Sequence, residues 1–234
     1  MQRRQFWIGV GALWLSQQPA FAQSLSTLLP KGLTQNEAIS GLRQALSQGA
    51  QAAVLRVAKP DGYWADGMIR IPLPKAMAQL QRSLKPIGLS APLDDLQLKL
   101  NRAAETAAPQ ARDLFGKAIA GMSIEDVAGV LRGGPSAGTD LLRAKTAKPL
   151  ALAFKPSLSK AMTDTGAIKA LDKAITNPNL RAVMGASPQE SLASFGTERA
   201  LDGLFHYVAA EEAAIRTNPV KRGTSLLKKV FGAF

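Results

Sequence analysis

The segment LKLNRAAETAAPQAR, residues 98–112, places Asn101, Arg102, Glu105 and Arg112 among small and apolar side chains. On a helix, Asn101, Glu105 and Arg112 fall along one flank of the apolar stripe, whereas Arg102 lies opposite it. Side chains on such a flank can turn inward. Three interpretations therefore stay open: a polar network that holds helices in register, a ligand-facing wall, or an active site.

The residue types favour a network or a ligand site over catalysis. Asn101 and Glu105 are spaced to share a partner, which would be Arg112 or an arginine from elsewhere, such as Arg70 or Arg216. A lone carboxylate without a histidine, a second acid or a metal ligand at matching spacing is a poor general acid–base candidate. We predict no catalytic residues. The candidates for a ligand-binding site or a polar network are Arg70, Asn101, Arg102, Glu105, Arg112 and Arg216.

Histidine and cysteine offer little further chemistry. The chain has one histidine, His206, and no cysteine. The missing cysteines exclude thiol catalysis and cysteine metal sites, and a single histidine cannot form the usual multi-histidine zinc site. We therefore expect no metal and no cofactor, and we assign His206 a structural or surface role.

The C-terminal residues 218–234 predict a basic amphipathic tail, with apolar side chains at helical steps and four nearby positive charges. Such a helix can lie on an anionic membrane surface, or it can pack its apolar edge against the rest of the domain. Both interpretations stay open, and we predict packing as the larger effect. The candidates for contact with a membrane or a partner are Lys221, Arg222, Leu227, Lys228, Lys229, Val230, Phe231 and Phe234.

The elements that must position these residues are helical. A capping box of Thr34 and Glu37 opens the first long apolar stripe. Residues 63–74 contain Pro72 and Pro74 and alternate apolar residues, which predicts an extended connector. Further helices are expected over 74–88, 92–122, 123–132, 141–175 and 187–216, with a loop over 176–186. The expected fold is all-α, a single-domain irregular helical bundle with proline-kinked helices and one extended connector.

The N-terminus and the charge bear on location and partners. Residues 1–22 have a basic start, an apolar run and a small-x-small end, which predicts a cleaved export signal and a periplasmic domain over 23–234. The secretory and the twin-arginine routes both remain open. The chain has 29 basic and 17 acidic residues, a net charge of +12. Outside the cytoplasm this charge suggests phospholipid headgroups rather than nucleic acid.

Three blocks of sequence carry a resemblance to a known family. They are IRIPLP at 69–74, LKLNRAAETAAP at 98–109, and a C-terminal run made of DGLF at 202–205, AAEEAAIRTNP at 209–219 and LLKKVFG at 226–232. Together they resemble an exported bacterial family known as domain of unknown function four-one-nine-seven. The resemblance implies an α-helical exported protein, and it brings no activity or catalytic residues.

Two functions fit these features. The first is a non-catalytic exported binding protein whose alanine-lined helices enclose an apolar groove for a lipid-like ligand, with basic residues near its mouth. The second is a structural or assembly factor that docks on an envelope protein or an anionic membrane, through the IRIPLP segment or the C-terminal tail.

Overall fold

The computed structural model describes residues 29, 31–131, 133–176, 178–184 and 186–232. The described part of the chain is all-α, which confirms the predicted class. Its α-helices are α1 Gln35–Val57, α2 Lys75–Leu84, α3 Ala91–Ala107, α4 Ala111–Ala120, α5 Ile124–Leu131, α6 Ala137–Asp164, α7 Ala167–Ala174, α8 Pro178–Met184, α9 Pro188–Thr217 and α10 Ser225–Phe231. Short 3₁₀ turns lie at Lys85–Ile87, Ala108–Gln110 and Pro219–Lys221. The predicted export signal lies outside the described residues.

Local sequence explains where α1 and α9 begin. The Thr34–Glu37 capping box forms as predicted, with the Glu37 amide donating to Thr34 Oγ1 at 3.2 Å. Ser187 and Glu190 have the spacing of a second capping box, at the start of α9. It does not form: the Ser187 side chain makes no cap bond, and Glu190 pairs with Lys155 instead. Proline at the first helical position still starts α9 where expected, because that position needs no amide donor.

Some of the predicted elements have different bounds in the structure. The expected loop over 176–186 contains α8, which begins at Pro178 for the same reason that α9 begins at Pro188. The segment 141–175 was expected to be kinked or split at Pro149 or Pro156; both prolines lie inside α6, and the segment divides at Gly166, between α6 and α7. The connector is extended only over residues 70–74, since residues 61–69 form turns.

A break at Pro109 divides the segment 98–112. The 3₁₀ turn Ala108–Gln110 separates α3 from α4, so residues before and after it do not share one helical wheel. Arg112 therefore leaves the flank that carries Asn101 and Glu105, and its side chain is exposed. The prediction that one continuous helix spans this segment was wrong for this reason.

The core forms where α1 and α6 pack against the long helix α9, with α3 behind α6 and with α4 and α10 against α1. The alanines expected to line a groove are used for this packing. Ala103, Ala104, Ala107, Ala108 and Ala111 are all buried in the hydrophobic core. Small side chains let the helix backbones approach closely, so these alanines hold the helices together instead of lining a groove.

Among the described helices, none is long and apolar enough to cross a bilayer.

Candidate functional site

Two polar side chains of α3 hold the connector in place. Glu105, which is 4% exposed, accepts hydrogen bonds through Oε1 from the backbone amides of Tyr63 and Trp64, both at 3.1 Å. Asn101 is fully buried: its Oδ1 accepts from the Ile71 amide at 2.8 Å, and its Nδ2 donates to the Ile71 carbonyl at 2.9 Å. These bonds satisfy backbone groups that have no partner in a helix or sheet.

Arg102 completes this contact from the solvent side. Its guanidinium lies 2.8 Å from Glu105 Oε2 and 2.7 Å from Asp61 Oδ1, so it joins the connector to α3. The hydrogen bond that Arg102 donates to Glu105 raises the pKa of Arg102 above its ordinary value, and the bond that it donates to Asp61 adds to this effect. Arg102 was expected opposite the apolar stripe, away from Glu105. Its side chain is long and it lies three residues before Glu105, so the guanidinium can reach the Glu105 carboxylate.

The three arginines proposed as partners of Glu105 lie elsewhere. Arg70 stacks over the Trp64 ring, with its Cζ 4.8 Å from the ring centroid. Arg112 lines a separate surface cleft between α1 and α4. Arg216 pairs with Glu212 at 2.9 Å. The predicted shared partner for Asn101 and Glu105 is therefore wrong, because both side chains bind connector backbone.

On its other side, the connector packs against α9. Tyr63 is buried, and its hydroxyl donates to the Ala200 carbonyl at 2.6 Å. Burial raises the pKa of Tyr63, and the nearby Glu105 carboxylate raises it further. A Cβ on Gly203 would lie 2.8 Å from the Tyr63 ring and 3.1 Å from Ile69 Cβ. Only a glycine lets the connector lie this close to α9.

A second buried pair, which the sequence analysis missed, joins α9 to the start of α6. Glu212 is fully buried and accepts from the Gly138 amide at 3.0 Å and the Thr139 amide at 2.7 Å. Arg216 neutralises its charge and also donates to the Val130 carbonyl at 3.0 Å. A carboxylate at a helix N-terminus meets unpaired amides and the positive end of the helix dipole. The four-residue spacing of Glu212 and Arg216 was a visible signal, but nothing in it pointed to α6.

The C-terminal tail packs on the domain. Leu227, Val230 and Phe231 are buried, and α10 lies against α1. A Cβ on Gly41 would lie 2.6 Å from Val230 Cγ2, so α1 offers the tail a groove at this glycine. Three of the proposed apolar membrane contacts are thus turned inward, while Phe234 lies outside the described residues.

Charged residues of the tail strengthen this packing. Lys229 pairs with Glu37 at 2.6 Å, and this hydrogen bond, with those from Thr34, lowers the pKa of Glu37 to about 2. Arg222 donates to the Ile215 carbonyl at 3.0 Å, and Lys221 lies 3.7 Å from Glu211. Lys228 is exposed. Three of the four basic candidates therefore contact the domain itself.

The surface beside the connector holds a cleft of about 460 Å³, which we call the arginine cleft. Met68, Ile69, Arg70 and Pro72 of the connector form one wall, and residues of α6 and α9 form the other: Thr139, Asp140, Arg143, Arg199, Asp202, Gly203, Phe205, His206 and Ala209. Met68 is 75% exposed at the rim. The cleft therefore combines guanidinium groups with an exposed apolar side chain.

Two of its arginines share one carboxylate. Asp202 lies 2.6 Å from Arg143 and 3.2 Å from Arg199, and Arg143 also stacks over the Phe205 ring at 4.6 Å. Within the described residues, no carboxylate lies within 4.0 Å of Arg70. With three arginines against Asp140 and Asp202, the cleft carries an excess of one positive charge when His206 is neutral.

The chain also contains Gly-Pro-Ser-Ala-Gly at 134–138, which matches the spacing of a serine nucleophile elbow. That motif needs the serine on a sharp turn between a strand and a helix. Here Ser136 lies in a turn between the helices α5 and α6, and its hydroxyl donates to Asp140 Oδ2 at 3.1 Å. The surroundings of Ser136 are those of an ordinary helix start. In the described portion, no three His, Cys, Asp or Glu side chains cluster as metal ligands would.

Replacing Glu105 with alanine should lower the free energy of unfolding by about 1–3 kcal/mol, because the Tyr63 and Trp64 amides and the Arg102 guanidinium would lose an acceptor. Glu105→Gln should cost less, since its amide oxygen can still accept from both amides. Urea unfolding followed by circular dichroism measures both losses. Asp61→Asn, which removes only the exposed partner of Arg102, is the control and should cost less than about 1 kcal/mol. Equal losses for the glutamine and alanine variants would assign the stability to the Arg102 pair instead of the backbone bonds.

Comparison with protein families gives one match. The family model described as Protein of unknown function (DUF4197) matches residues 32–232. The chain belongs to the DUF4197 family. Searches of the curated proteins and of the solved structures each returned no match.

The blocks that carry the DUF4197 resemblance meet in the structure. IRIPLP is the extended end of the connector, LKLNRAAETAAP supplies Asn101 and Glu105 to hold it, and DGLF contributes Gly203 on the opposite side. The apolar residues Ile69, Ile71 and Leu73 of the connector are buried. In this DUF4197 chain the connector therefore presents Arg70 and Pro72 to the outside, in the wall of the arginine cleft.

Proposed function

We propose that the protein is an exported, non-catalytic binding protein that holds a lipid-like ligand by its anionic head group in the arginine cleft. The observation that carries this proposal is the position of Arg70, a cleft-lining arginine with no carboxylate within 4.0 Å among the described residues. Its charge is therefore available to a ligand carboxylate or phosphate, which guanidinium groups bind well.

The walls of the cleft support an amphiphilic ligand. Its volume of about 460 Å³ lies within the range of small-molecule sites, roughly 300–1,000 Å³. Arg143 and Arg199 lie on the wall opposite Arg70, and Met68 at the rim offers an apolar surface for the start of an alkyl chain. The ligand tail would lie along the surface, because the alanine faces of α3 and α4 are already buried.

Export and the absence of catalysis are parts of the same proposal. The N-terminal 22 residues have the pattern of a signal peptide, which would place the domain in the periplasm among phospholipids and their fragments. The titratable groups beside Arg70 are engaged with one another, since Asp202 binds two arginines. Such groups suit recognition of an anion better than proton transfer.

Dodecyl phosphate below its micellar concentration is the probe that tests this proposal, with uncharged dodecyl maltoside beside it. Isothermal titration should give saturable binding of dodecyl phosphate, weakened about tenfold in Arg70→Gln, because one charge-assisted contact is lost. Arg112→Gln, which alters the separate cleft between α1 and α4, is the matched control and should bind like the parent protein.

Three results would overturn the proposal: no saturable binding, equal binding of both detergents, or equal loss in the two arginine variants. Organic extraction of the purified protein followed by mass spectrometry gives a second measurement. A copurifying anionic lipid in near-stoichiometric amount would support the same conclusion.

A further inference from the structure

The turn between α2 and α3 projects two large apolar side chains into solvent. Ile87 is 65% exposed and Leu89 is 61% exposed, and Pro86, Ala91 and Pro92 around them are exposed as well. Exposed aliphatic residues elsewhere, such as Leu152 in α6, stand singly. A continuous apolar tip of this kind indicates an interaction surface.

The tip is rigidly built. Gly88 adopts a left-handed φ of 73°, its amide donates to the Lys85 carbonyl at 3.1 Å, and the Leu89 amide donates to the Leu84 carbonyl at 3.1 Å. This pair of bonds is the Schellman arrangement that ends many helices, and the residue after the glycine then commonly packs back on the helix. Leu89 remains exposed instead. The turn therefore fixes the backbone that carries both side chains, so little backbone freedom remains to be lost on binding.

Exposed basic residues surround the tip, and the nearest carboxylate in the sequence, Asp94, accepts hydrogen bonds from Ser90 and Gln81. Lys75, Arg82 and Lys85 are exposed, and residues 75–93 contain no acidic residue. Across the described chain, none of these three has a carboxylate within 4.0 Å. Lys75 and Arg82 are seven residues apart, so they share one face of α2. Basic groups behind an apolar tip are complementary to a bilayer with anionic headgroups, where each contributes attraction.

We propose that the turn Lys85–Leu89 is a membrane-docking tip, in which Ile87 and Leu89 enter the interfacial region of an anionic bilayer while Lys75, Arg82 and Lys85 bind its headgroups. This surface is separate from the arginine cleft and from the C-terminal tail. It gives the protein a fixed orientation on the membrane, with α2 and the start of α3 facing the lipid.

Flotation with vesicles tests the docking tip. The parent protein should bind vesicles of equal parts phosphatidylglycerol and phosphatidylcholine, and bind pure phosphatidylcholine vesicles much more weakly. Ile87→Ser/Leu89→Ser should lower the partition onto anionic vesicles by at least about tenfold, because two aliphatic side chains no longer enter the bilayer. Leu152→Ser removes an equally exposed side chain, 76% exposed on α6, and should bind like the parent protein.

Charge variants and salt test the basic residues behind the tip. Lys85→Gln/Arg82→Gln should reduce binding at 0.1 M salt, and 1 M salt should do the same to the parent protein, since the screening length falls from about 10 to about 3 Å. Arg112→Gln, in the separate cleft between α1 and α4, should leave vesicle binding unchanged. The double serine variant should still bind dodecyl phosphate like the parent protein, so failure of the proposed cleft ligand and failure of the docking tip are distinguishable. Binding of the double serine variant within twofold of Leu152→Ser would overturn the proposal, as would equal binding to both kinds of vesicle.

Discussion

Replacing Glu212 with glutamine should lower the free energy of unfolding by about 3–5 kcal/mol, a large share of the stability of a domain this size. The carboxylate is fully buried and lies between the Arg216 guanidinium and the amides that begin α6. A glutamine side chain is the same size but carries no charge. Its NH₂ group would face either Arg216 or the donors of Thr139, and two donors cannot bond to each other. Without the carboxylate, the buried positive charge of Arg216 would be unpaired.

Urea unfolding of Glu212→Gln beside Glu211→Gln measures this effect. Glu211 is the preceding residue on the same helix, but its side chain is about one-third exposed and lies 3.7 Å from Lys221. Its replacement should cost less than about 1 kcal/mol. Similar losses in the two variants would show that the Glu212 contacts at the start of α6 contribute no special stability.

Removing the C-terminal tail should have a comparable or larger effect. Deletion of residues 221–234 takes away three buried apolar side chains, Leu227, Val230 and Phe231, at about 1.5–3 kcal/mol each. The expected loss is about 5–9 kcal/mol, which would bring the domain close to unfolding at room temperature. The melting temperature measured by differential scanning calorimetry should fall accordingly. Vesicle binding per folded molecule should change little, because the docking tip lies at the end of α2.

A single substitution gives the same information if the truncated chain does not fold. Leu227→Ala should cost about 2–5 kcal/mol through the cavity that it leaves against α1. Lys228→Ala alters the exposed neighbour and should lie within about 0.5 kcal/mol of the parent protein. The packing of the tail would be refuted by a Leu227→Ala variant that is as stable as Lys228→Ala, particularly if it also lost its affinity for anionic vesicles.

Helical periodicity in the sequence was sufficient to predict the elements themselves. The stripe from Ala38 to Val57 and the capping box at Thr34 gave α1, and alternation with Pro72 and Pro74 gave the extended end of the connector. These features depend on neighbours within a few residues. Boundaries failed where one proline decided them, as at Pro109, which interrupts a helical pattern, and at Pro178, which begins a helix inside an apparent loop.

The partners of buried polar side chains could not be predicted in the same way. Glu105 was recognised as a residue that turns inward, but it binds amides about 40 residues earlier in the chain, at Tyr63 and Trp64. Glu212 binds the start of α6, 73 residues away at Thr139. Backbone amides cannot be recognised from the sequence, so the spacing of the polar residues suggested arginine side chains as their partners. In the structure, the carboxylate oxygens accept hydrogen bonds from main-chain amides. The arginine cleft was missed because Arg70 and Arg143 meet only through the fold.

The position of α10 against α1 has a consequence for the order of folding. Thr224 bonds to Gln44 across 180 residues, and Lys229 bonds to Glu37 across 192. The first helix of the domain therefore cannot bury all of its apolar face until the last residues have been synthesised. Contacts between such distant segments close very long loops, and this closure slows folding. During synthesis, part of the apolar face of α1 would stay exposed and prone to aggregation. This part would be buried only when α10 has been made and packs against α1.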